Sequence, residues 1–243
     1  MPDLVMHCGN IVFENGQMHE TQVDDMPHLR PTMNVKLPKI DDLRILAASG
    51  DKIRVIELVS GQILTRQTVC EAVIKDGEAV ASPEHDLLKV CVFDRHRGSG
   101  SFGMGFVRGY GMKRGAVGSS VGHDSHNMVI VGTNDVDILK CAGLIRDLGG
   151  GQVGVCGEAS AALPLPIAGL MSDKTAEDVI ELEAELDKFC AETLGVTLER
   201  PFAALSFMSL PVIPEMRITD QGLFQLEPGG YPQKVALFAS QCT

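Results

Sequence analysis

The chain predicts an α/β or α+β fold, a mixed β-sheet covered by helices and opened by a short N-terminal β-hairpin. Three observations carry that expectation. Residues 87–93 form an apolar run broken only by Lys89, the pattern of a strand buried on both faces in the middle of a sheet. After residue 85, strand-like runs interleave with two segments of helical period, which argues for helices packed on a sheet. Near the start, Asn15-Gly16 separates two short apolar runs, the strongest local signal for a hairpin.

The elements follow in chain order. Residues 7–18 make the hairpin, and residues 22–42, with Pro27, Pro31 and Pro38 among scattered Asp and Lys, read as a linker laid over a surface. A domain boundary is therefore expected at residue 42. The β-branched runs at 53–59 and 69–74 lead into Asp76-Gly77, which suits a type I′ turn and completes a meander. Residues 98–122 then hold nine glycines, so this backbone must bend tightly or approach something closely. Within it, residues 102–109 predict a short helix ending at a glycine, and residues 116–121 predict a strand of small residues.

Asn134 or Asp135 can cap a helix that aligns Ile138, Leu139, Ala142, Ile145 and Leu148 on one face, with Gly149 at its end. Strands are expected at 152–156 and 159–165. A second helix starts near Thr175, places Glu177 and Asp178 at the positive end of its dipole, and buries Val179, Leu182, Leu186 and Phe189 before Gly195. Pro211 and Pro214 bar long ladder pairing, so 211–214 is an edge or an irregular wall. The expected core is Leu88, Val90, Val92, Val129, Val131, Val153, Val155, Leu182, Leu186 and Leu205, and the tail after Gly229 is expected to be loosely tied. These readings divide the chain into 1–42, 43–228 and 229–243.

The 243 residues carry a formal net charge of −11 and a mean hydropathy of +0.10, a balance that suits a soluble globular protein and repels phosphate backbones. A nucleic-acid polymer is thus excluded as the expected partner. No apolar run reaches the roughly 18 to 20 residues that a membrane span needs, and the start lacks the basic and apolar regions of a secretory signal. The expected location is cytoplasmic. Seven cysteines without a C-x-x-C pair read as reduced thiols. One local exception to the acidity is Arg95-His96-Arg97 with Arg108, Lys113 and Arg114, either a site for a small anionic or purine-like ligand or solvated loop charge.

The stretch from Val121 to Asn127 is the place where chemistry concentrates, with His123, Asp124, Ser125, His126 and Asn127 ahead of an apolar strand. His123 and His126 can approach one metal, or one of them can act as a general acid or base oriented by Asp124. The same residues also suit a polar turn. No neighbouring cluster completes a metal ligand set. Arg95 and His96 follow a buried strand, so their side chains should emerge beside this loop. Thr133-Asn134-Asp135 opens a helix as an anion site or as a plain cap. Residues 98–105 lack the Gly-Lys-Ser/Thr of a P-loop, and their glycines do not stand at the first strand of a Rossmann unit, so nucleotide binding is not expected there.

Taken together, residues 95–100 (Arg-His-Arg-Gly-Ser-Gly), 105–116, 119–127 (Ser-Ser-Val-Gly-His-Asp-Ser-His-Asn), 131–135 (Val-Gly-Thr-Asn-Asp), 163–172 and 205–214 closely resemble the C-terminal domain of bacterial adenine deaminases. The match runs in consistent order from about residue 40 to residue 226, and the opening hairpin looks like the end of the small β domain that precedes this region in the family. The resemblance implies deamination of adenine to hypoxanthine, with water activated by a metal in an amidohydrolase barrel. The barrel, with its H-x-H strand end and later His and Asp ligands, is absent from this sequence. The implied divalent metal, Mn or Fe, is therefore expected in a barrel-bearing partner, with no cofactor bound by this chain.

In a composite enzyme of that kind, His123, Asp124 and His126 are expected at the catalytic site and Arg95, His96, Ser125 and Asn127 at the substrate, although the family motif itself does not carry their exact roles. Together they would line or lid a composite site. Adenine or a related purine, a barrel chain and further copies of the same chain are the expected partners. The alternatives are a non-catalytic purine-binding or oligomerisation module, and an independent metal hydrolase built on His123, Asp124 and His126.

Overall fold

Asn15 and Gly16 adopt φ of +53° and +79°, the left-handed pair that a two-residue type I′ turn demands. They join β2 (Asn10–Glu14) to β3 (Gln17–Met18), with Glu14 paired to Gln17. A second tight turn at Cys8 and Gly9, also left-handed, joins β1 (Leu4–His7) to β2 and completes a three-stranded sheet. A computed structural model describes residues 2–19 and 31–239, and the chain divides into two compact units, Met1–Arg30 and Pro31–Thr243. The division falls ahead of residue 42, so residues 31–42 belong to the second unit. The part of the expected linker at 22–30 lies outside the described residues.

The second unit is built on an eight-stranded sheet. Its chain order runs β4 (Lys52–Leu58), β5 (Thr65–Glu71), the small hairpin β6 (Ile74–Lys75) and β7 (Glu78–Ala79), β8 (Leu88–Phe93), β9 (Phe102–Arg108), β10 (Ala116–Ser119), β11 (Met128–Gly132), β12 (Gly151–Cys156) and β13 (Ala159–Pro164). The sheet order is β13-β12-β10-β11-β8-β9-β4-β5, and only β4 and β9 run parallel. A mixed sheet results, as predicted. β8 is buried at every position and sits between β11 and β9. Its one charge, Lys89, reaches the Leu43 carbonyl and the Asp135 carboxylate at 2.7 Å. Asp76 and Gly77 supply the left-handed turn of the β6–β7 hairpin.

Residues 102–109 were expected to form a short helix, and residues 102–108 form β9. The alternation explains the difference: Gly103 and Gly105 fall on one face at the strand period, where a neighbouring hairpin must pass. A Cβ at Gly103 would stand 2.1 Å from the Thr219 carbonyl oxygen, and one at Gly105 would stand 3.0 Å from the Leu223 side chain. That hairpin is β14 (Met216–Thr219) with β15 (Gly222–Gln225), extended by β16 (Gln233–Val235) into a three-stranded sheet.

α1 (Asp135–Asp147) covers one face of the large sheet, its Ile138, Ala142 and Ile145 packed with Cys91, Ile130, Val153 and Val155. The other face carries α2 (Ala176–Lys188), which continues as a π-helical turn at Phe189–Leu194, and α3 (Pro201–Met208). There Leu88, Val90, Val92, Val129 and Val131 meet Leu186, Leu205 and Met208, with Leu182 half-buried at the margin. Within the segment after Gly229, expected to be loosely tied, residues 237–239 run along β4: Arg54 N–H donates to the Leu237 carbonyl and Ala239 N–H to the Lys52 carbonyl, both at 2.8 Å, and residues 240–243 lie outside the described residues. Residues 211–214 form the irregular wall, where the Pro214 carbonyl accepts from Thr65 N–H. Among the described residues, no helix is long and apolar enough to cross a membrane.

Candidate functional site

One end of the large sheet gathers the polar residues. Phe93, at the end of β8, pairs with Met128, at the start of β11, and with Phe102, at the start of β9. The segments leaving these strands, residues 94–101 and 120–127, therefore start side by side. Chain connectivity alone brings Arg95 and His96 to the His123 loop, as the sequence predicts.

Arg95 sits beneath that loop, only 2% exposed. Its Nε donates to the His126 carbonyl, Nη2 to the Ala168 carbonyl at 3.1 Å, and Nη1 lies 3.4 Å from the Thr32 carbonyl. No ion pair engages it among the described residues, and burial pulls its pKa below the ordinary guanidinium value. Each of its three nitrogens thus faces a backbone carbonyl, and Nη1 also lies 3.5 Å from the Thr32 hydroxyl and from the Met33 sulfur. The geometry makes Arg95 a clamp that joins three chain segments, where a substrate contact was expected. Gly169 permits the approach, because a Cβ there would stand 2.7 Å from Nη1.

Asn127 is also buried. Its Oδ1 accepts from Arg95 N–H at 3.4 Å and its Nδ2 donates to Asp220 Oδ1 at 3.2 Å, tying the loop to the β14–β15 turn. Ser101 Oγ donates to the same Asp220. Burial pushes the Asp94 carboxyl up, but hydrogen bonds from the Ser99 hydroxyl and from the His96, Arg97 and Ser99 backbone outweigh it and leave the group below its ordinary value. Ser120 Oγ donates to the Gly169 carbonyl at 2.6 Å. These supports were not read from the sequence, although residues 163–172 were among the segments that carried the resemblance.

Above this base the loop exposes His123, Asp124 and Ser125. His123 N–H is held by the Ser206 carbonyl, and its ring lies 5.0 Å from the Phe207 ring at 39°. Beside it opens a cavity of about 590 Å³, lined among others by Val121, Glu183, Asp187, Glu199, Phe202 and Phe207. His126 is half-buried with a left-handed φ of +50°, and its Nδ1 accepts from Gly122 N–H at 3.2 Å. His96 is exposed and its Nε2 lies 2.7 Å from the Ser125 carbonyl. Burial, then the nearby Arg95 and His96, lower the His126 pKa, with Asp124 opposing and His123 adding a little.

The metal arrangement considered for His123, Asp124 and His126 does not fit. No three His, Cys, Asp or Glu side chains among the described residues are grouped to hold an ion, and His126 Nδ1 already serves the backbone. The wider basic cluster is likewise dispersed. Arg108 stands at the far end of β9 from Phe102, about 20 Å away at the rise of a strand, and Arg114 donates to the Thr193 carbonyl. Thr133-Asn134-Asp135 lies at the sheet end away from the loop, where Asn134 Oδ1 accepts from Asp137 N–H at 2.8 Å as a helix cap.

Comparison with known proteins bears on what this constellation serves. The chain is 41% identical over 227 residues to an adenine deaminase of Methanothrix thermoacetophila, covering 93% of this chain and 40% of that protein. It is 44% identical over 223 residues to one of Dehalococcoides mccartyi, covering 91% and 39%, and 41% identical over 232 residues to one of Moorella thermoacetica, covering 91% and 38%. The chain therefore spans about 40% of the length of the curated relatives it matches. Residues 62–229 match the model of the adenine deaminase C-terminal domain, and they include the whole strand-end constellation from Asp94 to Asp220. The chain belongs to the adenine deaminase C-terminal domain family.

Proposed function

We propose that the chain serves the hydrolytic deamination of adenine to hypoxanthine and ammonia, a purine-salvage reaction, together with a partner that carries an amidohydrolase barrel. The observation that carries this reading is the identity of 41% over 93% of the chain to an adenine deaminase of which it spans only 40%. The architecture of the loop supports it. Arg95 and Asn127 hold residues 122–127 from below, while His123, Asp124 and Ser125 stand free above, an arrangement suited to lining or closing a site completed from outside.

A metal in the barrel would activate the attacking water. The chain's own residues hold and move protons at the rim. His123, placed against Phe207 and bordered by Asp124, is the imidazole free to carry a proton toward the departing amine, a contribution of about a hundredfold or more to turnover. His126 and His96 are more constrained and orient the base. Arg95 positions them through the His126 carbonyl and does not reach the substrate.

The test is reconstitution with a barrel-bearing chain, read as hypoxanthine formed from adenine. His123→Asn and His126→Asn should leave the fold intact and remove turnover in the reconstituted pair. Turnover equal to the parent pair in both variants would take the loop out of the reaction and favour a non-catalytic module.

A further inference from the structure

Hydrogen bonds to the backbone dictate which ring nitrogen carries the proton in two histidines of the site, His126 and His96. Gly122 N–H is a donor, so His126 Nδ1 must be the bare acceptor, and the neutral ring then carries its hydrogen on Nε2. The Ser125 carbonyl is an acceptor, so His96 Nε2 must carry the hydrogen, and Nδ1 of the neutral ring is left bare. Neither His126 Nε2 nor His96 Nδ1 is hydrogen-bonded to protein among the described residues. The loop therefore offers one N–H donor and one ring-nitrogen acceptor of fixed identity. The two rings belong to one neighbourhood, since His96 Nε2 hydrogen-bonds the carbonyl of Ser125, the residue before His126.

We infer that His126 and His96 are specificity-determining residues that read an amino-heteroaromatic edge, His126 Nε2–H donating to a ring nitrogen and His96 Nδ1 accepting from the adjacent exocyclic amine. The inference rests on the adenine reading above and assigns the complementary groups. Adenine presents N7 as an acceptor beside the N6 amine as a donor, whereas a 6-oxopurine presents two acceptors. Deamination would thus convert a matched edge into one whose oxygen faces the bare His96 Nδ1, so the product is disfavoured where the substrate is held. Discrimination of about tenfold or more follows from one unmatched polar pair. His123 has no such assignment, because its ring is placed by Phe207 and not by a hydrogen bond that selects a tautomer.

The test is long-range 1H–15N correlation of the imidazoles in the 15N-histidine-labelled full chain at slightly alkaline pH, assigned with His96→Gln and His126→Gln. The expected spectrum shows His126 protonated on Nε2 and bare on Nδ1, and His96 protonated on Nε2 with a bare Nδ1. Adenine at millimolar concentration should shift His126 Nε2 and His96 Nδ1, and hypoxanthine should do so about ten times more weakly. An opposite tautomer at either ring, equal responses to the two purines, or no response to adenine would overturn the inference. These outcomes are independent of turnover in a reconstituted pair, so failure of the deaminase reading would be seen separately.

Discussion

Arg95 is the residue on which the site most depends, and its chemistry explains why. A buried guanidinium without a carboxylate stays only because carbonyls from Thr32, His126 and Ala168 replace its water. Arg95→Met should cost about 3 kcal/mol, the scale of charge-assisted hydrogen bonds, measured by urea unfolding; a cost below about 1 kcal/mol would refute the clamp. His126 gives a pH prediction whose sign follows from its lowered pKa. The folded state resists protonating this ring, which burial, Arg95, His96 and His123 disfavour and Asp124 only partly favours. Its contribution to stability is present above the ordinary value of 6.5 and is lost as pH falls through the lower folded value. The stability difference between the parent and His126→Gln should therefore shrink on acidification below 6.5, and a difference that grows would contradict the bond from Gly122. At this scale the sequence showed which side chains gather but not what each one does. Arg95 and His96 are neighbours in the chain, yet one turns into the base and the other out to solvent, a distinction made by carbonyls more than 30 residues away.

Elements show the same division between local and long-range causes. Asn15-Gly16, Asp76-Gly77, the Asn134 and Thr175 caps and the buried β8 were legible because their determinants are neighbours in sequence. β9 was misread because its glycines answer to Thr219 and Leu223, over a hundred residues on. α3 lies outside the predicted elements although Pro201 at its first turn and buried Phe202, Leu205 and Met208 carry a helical signal. Gly103→Ala should force the β14–β15 turn off the sheet and cost about 1 to 3 kcal/mol. Hydrogen exchange should then quicken both at that turn and at the 122–127 loop, which Asn127 joins to Asp220; protection unchanged at the loop would separate the two. Asn134→Ala should cost about 1 kcal/mol and leave turnover of a reconstituted pair unaltered, since the cap lies at the opposite sheet end. Loss of turnover without loss of stability would restore an anion-binding role there.

At the scale of the molecule, the second unit is a sheet covered on both faces, and one of its ends presents a loop bonded from below by Arg95 and Asn127 and exposed above. The chain spans about 40% of the length of the adenine deaminase it matches, and the proposal that it completes another site rests on that share. The most direct measurement is hypoxanthine formation from adenine by the purified chain, with and without added Mn²⁺ or Fe²⁺, and again with a barrel-bearing chain. The account predicts no turnover by the chain alone under either metal condition and turnover in the pair. Turnover by the chain alone would contradict it.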